Sequence, residues 1–133
     1  MNKLTALITG IEQHESLFLI DLDASGIPLA MLLFDLNPVF KIGSRVHVLF
    51  KESEVALAKE LSGEMSFSNR FTATIVAINP GGILADVSLQ CRAGELASII
   101  TMKSAKRLEL TEKKEVTVLI KASQLSLEGQ NDD

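Results

Sequence analysis

The chain has no tryptophan, no tyrosine, one cysteine and no run of basic residues. Each absence removes a class of function. Without a cationic footprint, and with a formal net charge of −4, it lacks what a nucleic-acid binder uses to hold phosphates. Without Tyr or Trp it also lacks the best platforms for base stacking, which argues against an OB-type single-strand binder. A lone cysteine, Cys91, cannot close an internal disulfide, and its place among alternating residues near a turn suits a plain packing role. His14 and His47 are far apart and have no cysteine or carboxylate at metal-ligand spacing, so no metal site is expected. The segment beginning Met1-Asn2-Lys3-Leu4-Thr5 soon turns polar again, unlike a signal peptide or a membrane span, and the expected location is the cytoplasm with no membrane contact. No Ser-His-Asp set, no paired carboxylates and no glycine-rich phosphate loop occur, so an enzyme is not expected.

What the chain does have is a repeat. Arg45-Val46-His47-Val48-Leu49-Phe50-Lys51 returns as Glu115-Val116-Thr117-Val118-Leu119-Ile120-Lys121. Earlier, Leu4-Thr5-Ala6-Leu7-Ile8 returns as Phe71-Thr72-Ala73-Thr74-Ile75. The spacing between copies grows slightly along the unit, so a small indel separates them. The organisation read from this is a first repeat over 1–60, a linker over 61–65, a second repeat over 66–129 and a disordered tail over 130–133. Units this small bury too little surface alone, so the two are expected to share a core or an oligomer interface. Apolar residues make up 47% of the chain, more than two tiny barrels need, which points to contacts between copies of the chain.

Strand signals dominate both units. Ala85-Asp86-Val87-Ser88-Leu89-Gln90 alternates strictly, as a strand with one face in the core does, and Val116–Ile120 reads likewise. Leu17–Leu22, Pro28–Phe34 and Val46–Phe50 are more continuously apolar and predict strands covered on both faces. Turns are marked by Asp23-Ala24-Ser25-Gly26, Asn79-Pro80-Gly81-Gly82 and Arg92-Ala93-Gly94-Glu95. Strands this short, spaced by such turns, predict an all-β chain of two tandem small barrels. A helical turn is expected in each repeat: Thr101–Leu108, with Thr101 as its cap, and the shorter Asp35–Phe40.

Only the second repeat gathers small hydrogen-bond donors. Ser66, Ser68 and Asn69 precede its first strand, Thr101 and Ser104 stand at its helical turn, and Lys121 and Ser123 lie near its last strand. A tetrahedral oxyanion needs this kind of set, with hydroxyls giving direction and a cation giving charge. Each residue alone has a plainer use: Thr101 as a cap, Lys121 as a solvated lysine at a strand end, Ser66–Ser68 as linker.

The run Ile100-Thr101-Met102-Lys103-Ser104-Ala105-Lys106-Arg107-Leu108-Glu109-Leu110, followed by Val116–Ile120 and Lys121-Ala122-Ser123, resembles the Mop (TOBE-type) molybdate-binding domain family. That family reads I-T-x-x-S-x-x-x-L-x-L, a strand, then I-K-A-S, and it opens with S-A-R-N. Ser66-Phe67-Ser68-Asn69 stands in the opening place, with Phe67 for the alanine and Ser68 for the arginine. The resemblance implies five-stranded OB-like barrels that bind molybdate or tungstate at interfaces between repeats or subunits. It implies a homo-oligomer, with a trimer favoured over a dimer, serving molybdenum storage or homeostasis. The oxyanion-binding residues it implies are Ser66, Ser68, Asn69, Thr101, Ser104, Lys121, Ala122 and Ser123, with Arg70 and Lys51 as secondary candidates. No catalytic cofactor is implied.

The first repeat departs from the pattern: Phe34-Asp35-Leu36-Asn37-Pro38 replaces the T-x-x-S turn, and Glu52 follows Lys51. It is expected to bind poorly, or to complete a neighbour's site. The competing expectation is a regulatory or interaction module of a molybdate transport or sensing system that has lost most of its oxyanion affinity.

Overall fold

The computed structural model describes residues 1–130, so the expectation of disorder for 131–133 lies outside the described residues. The chain is nearly all β. The first half holds β1 (Asn2–His14), β2 (Leu17–Ala24), β3 (Ile27–Leu33), β4 (Arg45–Phe50), a 3-10 turn (Glu52–Glu54) and β5 (Ala56–Ala58). The second holds β6 (Asn69–Pro80), β7 (Leu84–Cys91), β8 (Gly94–Thr101), helix α1 (Met102–Arg107), β9 (Glu115–Ile120), a 3-10 turn (Ala122–Gln124) and β10 (Ser126–Gly129).

These strands make two five-stranded antiparallel sheets, ordered β10-β4-β1-β2-β3 and β5-β9-β6-β7-β8. The same register shift occurs at Ile8/Gly10 in β1 and at Ile75/Ala77 in β6. Such bulges bend and twist a strand, and here each curls its sheet toward an OB-like barrel. The two-residue turn between β2 and β3 has Ser25 and Gly26 both at positive φ, the mirror-image turn whose twist suits a hairpin.

The repeat boundaries do not mark the sheets. β10, the last strand of the second half, pairs with β4 of the first, and β5, the last strand of the first half, pairs with β9 of the second. Each half thus completes the other's sheet. One hydrophobic cluster runs through both, from Leu4, Ile20, Met31 and Val48 to Ile75, Val87, Val118 and Leu125. The shared core expected from the small size of the units takes this exchanged form.

A pair of asparagines stitches the halves together. Asn69, the first residue of β6, is 0% exposed. Its Oδ1 accepts from the Ala30 N–H at 2.7 Å, and its Nδ2 donates to the Ala30 carbonyl at 3.0 Å. Asn2, the first residue of β1, does the same to Ala97 at 2.8 and 2.9 Å. Ala30 and Ala97 lie on β3 and β8, each the end strand of its sheet. One amide side chain thus supplies the edge with the donor and acceptor of a missing strand. Close by, the buried Ser98 hydroxyl donates to the Val55 carbonyl at 2.7 Å.

Two expectations are corrected. Asp35–Phe40 forms no helix. Pro38 disfavours helical backbone at Asn37, and the segment closes instead as a turn in which the Phe40 N–H donates to the Asn37 carbonyl at 3.0 Å. Nor are β2, β3 and β4 covered on both faces: burial alternates along them, and Asp21 and Asp23 of β2 face solvent. Alternation is what a curled sheet with one face on the core requires.

Candidate functional site

α1 begins where β8 ends. Thr101 caps it, its hydroxyl oxygen accepting from the Ser104 N–H at 3.1 Å. The Thr101 hydroxyl donates to Ser104 Oγ at 3.0 Å. After β9 the chain turns at Lys121, where the Gln124 side-chain oxygen accepts from the Lys121 N–H at 3.3 Å and fixes the 3-10 turn. Thr101, Ser104, Lys121 and Gln124 line one cleft of about 380 Å³. The opposite wall comes from the first half, through Ser53, Glu54, Val55 and Ala56, with Phe67 of the connector also facing in. The cleft is therefore a junction between the two halves.

The remaining candidates lie elsewhere. Ser66 and Ser68 are exposed and do not line the cleft, whereas Phe67 between them does. Asn69 has no exposed surface, and its amide is engaged with Ala30. Arg70 is turned away, donating to the Gly63 carbonyl at 3.4 Å. Ala122 and Ser123 belong to the 3-10 turn beside Lys121 but do not line the cleft. Three residues that motif reasoning passed over come into view: Glu54 and Gln124 as walls, and Arg107, whose Nη2 donates to Ser104 Oγ at 3.2 Å. The signal for Arg107 was its spacing of three from Ser104, which puts both on one helix face.

The only acidic group on the cleft wall is Glu54, and its carboxylate oxygen accepts from the Lys51 N–H at 3.3 Å. That bond draws the carboxylate back onto its own turn. Among the described residues, neither Lys121 nor Arg107 is in an ion pair. Lys121 lines the cleft, and Arg107 reaches its rim through Ser104.

The related position in the first half is a smaller hollow of about 280 Å³, lined by Leu33, Asp35, Leu36, Asn37, Phe40, Ser126 and Leu127. It offers a carboxylate and no cation. Lys51 lies outside it, and Glu52 is paired with the Met1 ammonium at 3.0 Å. Hydrogen bonding from that ammonium, the largest cause, holds the Glu52 carboxyl below its ordinary value of 4.5. A lowered carboxyl pKa stabilises the fold above the ordinary value, and the gain is lost as pH falls through the lowered one. The melting-temperature gap between the native chain and Glu52→Gln is therefore expected at neutral pH and should close in strong acid. A gap that persisted there would assign Glu52 a role other than its charge.

Among the described residues no group of three or more His, Cys, Asp or Glu side chains could hold a metal ion. No helix there is long and apolar enough to cross a membrane.

A comparison with protein-family models matches residues 66–127 to the TOBE domain. That segment is similar to the TOBE domain. The match takes in the connector end, all of β6 to β9, α1 and Lys121, so the TOBE segment supplies Thr101, Ser104 and Lys121. A TOBE domain is a binding domain and not an enzyme, which agrees with the absence of a catalytic motif from the sequence. Among solved structures, the chain is similar to one described as the cytoplasmic molybdate-binding protein ModG with molybdate bound. The TM-score is 0.90 at 23% identity, over 97% of this chain and 96% of that one. At that identity the likeness shows the fold, and it confirms the two-unit OB-like architecture. A molybdate-binding protein from Sporomusa ovata is 32% identical over 45% of this chain and 90% of that one, with a TM-score of 0.44. A comparison with curated proteins found no match.

Proposed function

We propose that this chain binds a tetrahedral oxyanion, molybdate or tungstate, in the cleft at Thr101, Ser104 and Lys121. The observation that carries the reading is the convergence of those three residues, separated in sequence and all from the TOBE-matched segment, on one cleft. The Ser104 hydroxyl, which accepts from Thr101, supplies a directional donor, and Lys121 supplies charge. Selectivity over sulfate follows from size, since the smaller anion leaves donors in so open a cleft underused. The kinship in fold with a cytoplasmic molybdate-binding protein supports the ligand class and a cytoplasmic role in molybdenum storage or homeostasis.

The oligomer belongs to this proposal too. Phe34 and Ile83 are 78% and 79% exposed, and Val39, Ile42 and Leu84 also stand in solvent. Exposed apolar side chains of this size suit contacts between copies of the chain, and a trimer is the favoured closed form. The same residues are what favour the second reading, an interaction module of a molybdate transport or sensing system. Retention of a partner protein by a chain with no oxyanion affinity would decide for it.

The two halves make an internal comparison for the test. Lys121→Ala should weaken molybdate binding by about tenfold or more, because it removes a charge-assisted bond. Lys51→Ala should leave binding within about twofold, because Lys51 does not line the cleft and its exposed charge is screened by solvent. Isothermal titration of both variants checks this. Equal losses, or a loss confined to Lys51→Ala, would overturn the placement of the site.

A further inference from the structure

The cleft, taken as an oxyanion site, has a charge deficit. Lys121 contributes one positive charge and Glu54 one negative charge, so the wall is close to neutral before a dianion enters. A doubly charged ligand needs a second cation within reach. Arg107 is the residue that meets the geometry. It projects from the last turn of α1 and donates through Nη2 to Ser104 Oγ at 3.2 Å.

That contact also sets the direction of the serine hydroxyl. Ser104 Oγ accepts from Thr101 Oγ1 at 3.0 Å and from the Arg107 guanidinium. A hydroxyl oxygen has two lone pairs and one hydrogen. With both lone pairs taken, the Ser104 hydrogen is left to point away from Thr101 and Arg107. A hydroxyl that accepts from a cation is also a stronger donor, since chained hydrogen bonds polarise one another. Arg107 thus aims and strengthens one donor and brings a full charge to the rim.

The first half supplies a built-in contrast. Phe34, Asn37 and Phe40 occupy the repeat positions of Thr101, Ser104 and Arg107. Phe40 packs against Gly129, and no guanidinium reaches the hollow there.

We infer that Arg107 is the specificity-determining residue of the cleft, giving it a preference for doubly over singly charged tetrahedral oxyanions. The inference rests on the oxyanion reading above and adds to it the charge class of the ligand.

The test compares molybdate, a dianion, with perrhenate, a monoanion of the same tetrahedral shape, by isothermal titration of the native chain, Arg107→Gln and Arg107→Lys. Arg107→Gln should lose about tenfold or more in molybdate affinity and only about threefold in perrhenate affinity, because the lost charge acts in proportion to the ligand's own. Arg107→Lys should regain part of the dianion preference. Arg107 is exposed, so the melting temperatures of all three should lie close together. Native-like molybdate affinity in Arg107→Gln, or an equal loss for both anions, would overturn the inference and leave the oxyanion reading standing. A native chain that binds neither anion would overturn both.

Discussion

Replacing Asn69 by alanine is expected to destabilise the chain by about 2–4 kcal/mol. The truncation leaves the Ala30 N–H and carbonyl, bonded at 2.7 and 3.0 Å, without partners at the junction of the halves. A buried group that loses its partner bears its full desolvation cost, about 1–3 kcal/mol each. A drop in melting temperature of roughly 10 °C should follow for a chain of this size. Asn69→Asp is the sharper variant. It keeps the shape and the bond from the Ala30 N–H, but sets an acceptor against the Ala30 carbonyl. Its carboxylate would sit where Asn69 is 0% exposed, so it must remain protonated or weaken the fold. Asn69→Asp is therefore expected to be more stable in mild acid than at neutral pH, opposite to the trend that Glu52 imposes. Thermal melts of Asn2→Ala and Asn69→Ala should show similar losses, since the two amides make the same contacts. Losses below about 0.5 kcal/mol, the range of ordinary surface substitutions, would remove the asparagine pair from the account of how the halves are joined.

The largest expected effect on binding belongs to the triple variant Thr101→Ala, Ser104→Ala, Lys121→Ala. Bonds to a charged partner contribute about 1.5–3 kcal/mol each, so losing the Ser104 and Lys121 donors, and the Thr101 hydroxyl that holds Ser104, should remove at least about a hundredfold in affinity. The fold should survive. Ser104 is half-buried and Lys121 exposed, and the main structural loss is the Thr101 cap, about 0.5–2 kcal/mol. The stability of the triple variant should therefore resemble that of Thr101→Ala alone. Undiminished molybdate binding by a folded triple variant would end the assignment of this cleft.

Much of the architecture was legible from alternation. Ala85–Gln90 and Val116–Ile120 fall within β7 and β9, and the paired bulges show that the two copies fold alike. The exchange of β5 and β10 was not legible. A strand of three or four residues carries its own alternation but no mark of which sheet it will join, and either pairing satisfies its backbone. The same limit applies to Asn69. A motif places an amide at the start of a strand, but whether that amide meets a ligand or a neighbouring carbonyl depends on what packs above it. Asp35–Phe40 holds the repeat position of α1 but forms no helix, because Pro38 disfavours helical backbone at Asn37. Thr101, Ser104 and Lys121 were legible because a helix cap and a strand end fix their positions locally. Arg107 was legible only as a neighbour of Ser104 at a spacing of three on the expected helical turn, which places the two on one face but does not fix the bond between them.

The exchange shapes how the site is built. The wall opposite Thr101 is Ser53–Ala56, the segment that leads into β5 and so into the second sheet. A change that loosens β5 would therefore loosen the cleft without touching a donor, which ties binding to the integrity of both halves.

Oxyanion binding at this cleft is decided by an isothermal titration of the whole chain with molybdate, repeated in excess sulfate. Binding should survive sulfate, with one oxyanion per chain, because only the second half carries the hydroxyl pair and its cations. Absence of binding heat at micromolar protein, or binding that sulfate abolishes, would contradict this assignment.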